Sequence, residues 1–377
     1  MRVLHVYRTY FPESQGGLEE TIRQICMGTQ ALGVSNRVFT LAPGASGEVI
    51  QRPEAAVVRH RLDAEVASCG LSLPAIRAFR QEARQADLVH YHFPWPFADL
   101  LHLLCGARTP SVLTYHSDVI RQRRLMALYG PLMWRFLKSV DRVVATSPNY
   151  LASSPVLQRL PEGADVIPIG LDEASYPTPS QADLAEVRAQ VGRDFYLFVG
   201  VLRYYKGLHT LLDAVAGTDL PVVIAGAGPV EDELRERVRR EALENVVFLG
   251  QVSDAQKMAL FQLSRAVVFP SHLRSEAFGL TLVEGAMCSR PLISAEMGSG
   301  TSYVNAHDES GLVVRPADAR DLRAALQRLH SDEALVARLG HGARQRYERL
   351  FTGQCMAEAY YGLYQRLLGA TEPTPGG

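Results

Sequence analysis

The sequence predicts an α/β protein of two doubly wound, Rossmann-like domains, each a mainly parallel sheet with helices on both faces. Three observations predict it. Short apolar runs alternate with amphipathic stretches from end to end, which is the pattern of repeated βα units. That alternation is broken once, at 170–179 (GLDEASYPTP), by a cluster of turn formers and helix breakers. The 377 residues also suffice for two domains of ordinary size.

In the first half the strand candidates are Val3–Tyr7, Arg37–Leu41, Leu88–Tyr91, Val112–Tyr115, Arg142–Thr146 and Asp165–Ile169. Helical periodicity fills the intervals, as in Leu18–Leu32, where Leu18, Ile22, Ile25 and Leu32 share a face. After the break the pattern restarts with Phe195–Val199, Val222–Ala225, Val246–Leu249, Ala266–Phe269, Pro291–Ser294 and Leu312–Val314. A last helix, Gln354–Leu368, follows Phe351-Thr-Gly353 and is expected to return to the first domain. The expected divisions are therefore 1–170, 171–352 and 353–370, with a disordered tail from Thr371 to Gly377. Ligands of such sheets bind at the carboxyl ends of strands where strand order reverses, so two facing domains would enclose a cleft.

Composition narrows the function. Hydrophobic residues make up 47% and charged residues 21%, as in a soluble globular protein. The net charge of −1 argues against bulk nucleic-acid binding, although residues 1–168 carry 18 Lys+Arg against 14 Asp+Glu. Five scattered cysteines without a CxxC indicate neither a disulfide framework nor a zinc knuckle, which fits a reducing cytoplasm. The N-terminus lacks the cleavage region of a signal peptide, and no apolar run reaches the length of a spanning helix.

Two segments carry the chemistry. Glu276 and Glu284 bracket EAFGLTLVE, with Glu276 at a helix mouth and Glu284 two turns further in. The amides of Phe278, Gly279 and Leu280 would be first-turn donors at the positive end of that helix. Such a mouth suits an anionic or polyhydroxyl ligand. A buried Glu284 needs a partner, which ribose hydroxyls would supply. Upstream, GVLRYYKG (200–207) places Arg203 and Lys206 in another strand-to-helix loop, as a fork and a point charge for a diphosphate. Each segment alone also fits a solvated loop or surface helix. Together they suggest an enzyme of nucleotide-sugars.

Weaker signals surround them. Gly16 and Gly17 open the first helix, at a phosphate-loop position that a plain helix-entry turn fills equally well. The IAGAGP segment at 224–229 fails as a dinucleotide fingerprint because Glu231 stands at the third glycine position. His116 ends a strand, where it could contact sugar hydroxyls, donate to a phosphate or simply cap the strand. His90 and His92 form an HxH pair without a third ligand of comparable claim, so no metal is expected. Arg121–Lys138 mixes cations with Leu, Met, Trp and Phe, as an anionic membrane surface or an ordinary amphipathic helix would require. Pro131 there predicts two short helical pieces.

These segments, in this order, resemble the retaining glycosyltransferases of the GT-B fold, family four. The resemblance spans essentially the whole chain, including GLVVRPAD at 311–318. HVYRTYFPESQGGLEE (5–20) and EMGSGTSYVN (296–305) are similar to bacterial O-antigen mannosyl- and rhamnosyltransferases. The chain departs from the family at Ile169, where the linker commonly reads IPNG, and at Gly298–Gly300, where a Gly-Gly and glutamate are common. The resemblance implies a GDP-sugar donor, a lipid-linked saccharide acceptor and no further cofactor. It implies that Glu284 holds the ribose, that Glu276 and the Phe278–Leu280 amides hold the sugar, and that Arg203 and Lys206 hold the pyrophosphate. His116 would line the sugar site, and Gly16 and Gly17 would approach the phosphates. Competing readings are a glycoside hydrolase using Glu276 and Glu284 as acid and base, and a sugar-nucleotide-binding protein without turnover.

Overall fold

Ten strands precede residue 170 and six follow it in the computed structural model, which describes residues 1–66, 69–105, 109–119 and 123–369. The chain falls into two units: Met1–Gly170 together with the segment from Gly353 onward, and Leu171–Thr352.

In the first unit the strands are β1 (Arg2–Val6), β2 (Ser35–Ala42), β3 (Val49–Gln51), β4 (Ala56–Arg61), β5 (Ala64–Val66), β6 (Cys69–Leu71), β7 (Leu88–Phe93), β8 (Ser111–Tyr115), β9 (Arg142–Ala145) and β10 (Asp165–Val166). Eight form one sheet in the order β10-β9-β8-β7-β1-β2-β4-β3, parallel except for β3, while β5 and β6 pair separately. The sequence reading has no strand between 42 and 88. Four lie there, three of them only three residues long, and β4 runs from Ala-Val-Val into Arg-His-Arg, which hides its pattern. Conversely β10 stops short of the expected Ile169. The Ile167 amide still donates to Ala145, but Pro168 has no N–H with which to continue the ladder.

One face of this sheet is covered by the helices Gly17–Ala31 and Gly353–Leu367, which pack on each other. Their closeness depends on Gly28, where an added Cβ would stand 2.5 Å from the Cβ of Ala357. Ile22, Ile25, Met356, Tyr360 and Tyr364 fill the space between helices and sheet. Arg123–Leu137 is one helix with Pro131 inside it, not two pieces. Ala127 and Pro131 are both exposed, so the carbonyl that loses its donor lies on a wet face. Of the stretch expected to meet a membrane, Arg121 and Gln122, together with the side chains of Arg123, Arg124, Leu125 and Met126, lie outside the described residues, as does the tail from Thr371. Among the described residues, no helix is long and apolar enough to cross a membrane.

The second unit holds β11 (Tyr196–Val199), β12 (Val222–Ala225), β13 (Val246–Gly250), β14 (Ala266–Phe269), β15 (Leu292–Ala295) and β16 (Gly311–Val314). All are parallel, in the order β13-β12-β11-β14-β15-β16. Strand order therefore reverses between β11 and β14. In doubly wound sheets the loops leaving the strands' carboxyl ends at such a reversal form the ligand site. The core below is apolar and fully buried, with Tyr196, Phe198, Ile224, Val268 and Ile293.

Glycines let these loops meet backbone to backbone. Gly207 has φ +74°, and a Cβ there would lie 1.9 Å from the Pro270 carbonyl oxygen. Gly226 has φ +129° and stands equally close to the Gly200 carbonyl. The glycines of the failed dinucleotide segment thus serve loop packing.

Candidate active site

The second unit's switch point places the two sequence motifs side by side. Lys206 ends a single turn of 3-10 helix, Tyr204–Lys206, in the loop after β11. Glu276 lies in the loop after β14, and its carboxylate accepts a hydrogen bond from the Lys206 ammonium. Both side chains are nearly withdrawn from solvent, at 12% and 13% exposure. The ammonium also stands 4.6 Å from the centroid of the Phe269 ring, an arrangement favourable to a cation. The Ser271 hydroxyl is 3.5 Å from the same Glu276 oxygen.

Helix Leu280–Met287 begins four residues after Glu276, with Gly279 at its N-cap in the left-handed region. The amides of Phe278, Gly279 and Leu280 donate to no backbone carbonyl among the described residues. The Thr281 hydroxyl ties the first turn to the Val199 carbonyl at 3.1 Å, fixing the helix mouth against β11. Gly298–Gly300, where the chain departs from the family it resembles, packs directly on this loop. The Gly300 amide donates to Ala277 at 2.7 Å, and a Cβ at Gly300 would press on the same carbonyl.

Glu284 is buried, and it has a partner within the protein that the sequence reading did not name. Its carboxylate accepts a hydrogen bond from Lys257 at 2.9 Å, and Lys257 also pairs with Asp254 at 3.3 Å. Burial draws the Lys257 pKa down, but Glu284 and then Asp254 outweigh it and leave it raised. Twenty-seven positions separate Lys257 from Glu284, so no local spacing links them. A usable signal was nonetheless present: only three of the 39 Lys+Arg residues are lysines, Lys138, Lys206 and Lys257. In a chain that otherwise uses Arg, two of its three compact ammonium groups hold the two glutamates of the motif. Arg203 differs from Lys206, being exposed and making no side-chain hydrogen bond or ion pair among the described residues.

The first unit contributes different chemistry. His116, just beyond β8, is buried, and burial lowers its pKa to about 3. Its Nε2 lies 3.1 Å from His92 Nδ1, and His92 Nε2 lies 3.1 Å from His5 Nδ1. The third histidine absent from the sequence reading of the HxH pair is thus His5, because β1 lies beside β7 with His5 opposite His90. Ligand atoms of His5, His90 and His92 lie within 4.8 Å of one another, as metal binding would require. Every ring nitrogen of the three is already engaged, however. His90 bonds Tyr364 and Thr114, both at 2.7 Å, and His5 bonds Asn36. Gly16 is the N-cap of its helix, and a Cβ there would lie 2.7 Å from a Glu19 carboxylate oxygen. Thr9 and Ser14 both donate to that carboxylate.

Two Rossmann-like units, one with an ammonium and carboxylates at its switch point, define the class: a glycosyltransferase of the GT-B fold. Residues 180–346 match the family described as glycosyl transferases group 1, and residues 15–175 match glycosyltransferase family 4. The chain is 52% identical to a D-rhamnosyltransferase, WbpZ, of Pseudomonas aeruginosa, covering 93% of this chain and 92% of that one. It is 47% identical to O-antigen chain mannosyltransferase C of Escherichia coli, covering 98% and 99%. Among solved structures, sucrose-phosphate synthase from Thermosynechococcus elongatus superposes with a TM-score of 0.80 at 23% identity, covering 98% of this chain and all of that one. Anabaena HepE in complex with UDP gives 0.77 at 20% identity, covering 97% and 100%. The protein belongs to the group 1, family 4 glycosyltransferases and is a hexosyltransferase. The hydrolase and non-catalytic readings fall with that membership.

Proposed function

We propose that the protein moves a mannose- or rhamnose-type hexose from a GDP-sugar to a lipid-linked saccharide during O-antigen assembly, with retention and without a metal. The observation that carries the reading is the meeting of Lys206, Glu276, Glu284 and the Leu280 helix mouth at one switch point. Its support from relatives is the 52% and 47% identity to enzymes named for rhamnosyl and O-antigen mannosyl transfer.

In this reading Glu284 takes the ribose hydroxyls with its remaining acceptor capacity, while Lys257 holds the carboxylate in place. Lys206 and the exposed Arg203 take the pyrophosphate. Glu276 and the Phe278, Gly279 and Leu280 amides take the sugar. In the first unit, His116 would accept from a sugar hydroxyl. Gly16 and Gly17 approach the phosphates through their amides alone, since Glu19 beside them opposes an anion.

The C1–O bond to the β-phosphate breaks with its electron pair leaving on the phosphate. The acceptor oxygen bonds to C1 on the same face, and its proton passes to the departing phosphate oxygen. The products are a glycosylated acceptor and GDP. A fixed ammonium in a water-poor setting gains most as that negative charge develops, so it stabilises the transition state more than the ground state. No carboxylate is needed as a nucleophile. The exposed side chains Leu128, Arg135 and Lys138 would rest on anionic lipid, which co-sedimentation with anionic vesicles at low salt tests.

The deciding experiment is a thermal-shift panel of GDP, UDP, ADP and dTDP, followed by turnover of the preferred nucleotide's sugars with a saccharide-lipid acceptor. GDP should give the largest shift, and sugar release should require the acceptor. A larger shift with UDP, ADP or dTDP, or equal sugar release without acceptor, contradicts the proposal.

A further inference from the structure

Across β1, β7 and β8 one face of the first sheet carries His5, His90, His92, Thr114 and His116. Register puts His5 opposite His90 and His92 opposite Thr114, and residues two apart share a face. The Gly353–Leu367 helix covers this face, and its Tyr364 and Tyr360 hydroxyls meet His90 and Thr114 at 2.7 Å each. His90 stacks on His92 with centroids 4.3 Å apart, and His5 and His116 stack on His92 from either side. The rings are therefore held in position, and their protons can be traced.

The trace starts at Asn36, on β2. Its Nδ2 donates to the Cys26 carbonyl at 2.9 Å and to the Thr29 hydroxyl at 3.2 Å. The Thr29 hydroxyl spends its own proton on the Ile25 carbonyl, so towards Asn36 it only accepts. A flipped amide would set its oxygen against these acceptors, which fixes the orientation. Asn36 Oδ1 then faces His5 Nε2 at 3.3 Å and requires a proton there. A neutral His5 has none left for Nδ1, which must accept from His92 Nε2. By the same step His92 Nδ1 must accept from His116 Nε2. All four imidazoles are held neutral by burial, which lowers His5 to about 4 and His116 to about 3. The reverse proton order would leave two lone pairs facing each other between His5 and Asn36.

We propose that Asn36, acting through His5 and His92, locks His116 as the Nε2–H tautomer, so that its outer Nδ1 is a bare acceptor. Asn36, His5 and His92 are positioning residues. They make His116 a receptor for a hydroxyl group and deny it the proton with which to bind a phosphate oxygen. Nδ1 has no partner among the described residues. The chemical class recognised is a sugar hydroxyl, which rests on the donor reading above.

Imidazole nitrogens with and without a proton resonate far apart, so ¹⁵N-histidine spectra of the full chain read the tautomers directly. The unsubstituted protein should show protonated Nε2 and bare Nδ1 for His5, His92 and His116. Asn36→Leu should add a protonated Nδ1 signal at His116. It should also weaken GDP-mannose relative to GDP by about three- to tenfold, the worth of one neutral hydrogen bond. A protonated Nδ1 on His116 in the unsubstituted protein overturns the proposal, as does an Asn36→Leu variant with unchanged spectrum and preference. Failure of GDP itself to bind would instead defeat the donor reading and leave the tautomer test standing.

Discussion

The two units bury polar groups at their candidate sites by opposite means. The first stacks neutral imidazoles from Asn36 to His116 and satisfies them by hydrogen bonds. The second pairs full charges, Lys206 with Glu276 and Lys257 with Glu284. Neutral rings suit a surface that orients hydroxyls, since they add no field that would oppose or trap a dianion. Charged pairs suit a surface on which charge changes during reaction. An ammonium already stripped of most water needs little reorganisation when the leaving phosphate appears.

Acidification should destabilise the histidine arrangement of the first unit. His5 and His116, lowered to about 4 and about 3, stay neutral when folded, whereas unfolded histidines take up protons below pH about 6.5. The unfolded chain then binds more protons, so stability present above pH 6.5 is lost as pH falls towards 4. Each approaches about 1.4 kcal/mol per pH unit below pH 6.5, which gives about 3 kcal/mol for the two between pH 6.5 and 5. His90 and His92, also lowered by burial, add to it. Asp99 opposes: burial raises it to about 8 despite the Tyr129 hydrogen bond, so its contribution grows as pH falls below 8. Urea unfolding at pH 6.5 and pH 5 should show a net loss of at least about 2 kcal/mol, since one carboxyl offsets only part of several histidines.

Removing a charge from the second unit should act on rate. Lys206→Ala should lower kcat by roughly 10²–10³, the effect of one lost preorganised donor. Exposed Arg203 is already solvated, and Arg203→Ala should cost only about tenfold in steady-state kinetics. Lys257→Met should lower stability by about 2 kcal/mol by leaving the buried Glu284 carboxylate unpaired, and Glu284→Gln in that background should recover part of it. Equal stability of the Lys257→Met single variant and the native chain would show that the pair is not a structural unit.

Sequence patterns were most legible where the chain is regular. All six strands of the second unit stand where apolar runs predict them, because buried parallel strands are continuous hydrophobic runs. Short edge strands such as Val49–Gln51 bury little and left no such mark. Lys206 and Glu276 were readable as motif residues, but their contact arises from the adjacency of β11 and β14, which no local spacing records. Likewise His5 and Asn36 look like ordinary strand residues until β1, β2 and β7 are set side by side. His90 and His92 were conspicuous, while the groups that determine their protons were not.

The account depends on the second unit holding a nucleoside diphosphate at the mouth of the Leu280–Met287 helix, with Glu284 on the ribose. Calorimetric titration of GDP into the native chain and into Glu284→Ala tests this directly. The account predicts binding to the native chain and a Kd weakened by about ten- to a hundredfold in the variant, as for a lost charged hydrogen bond. An unchanged Kd would contradict it.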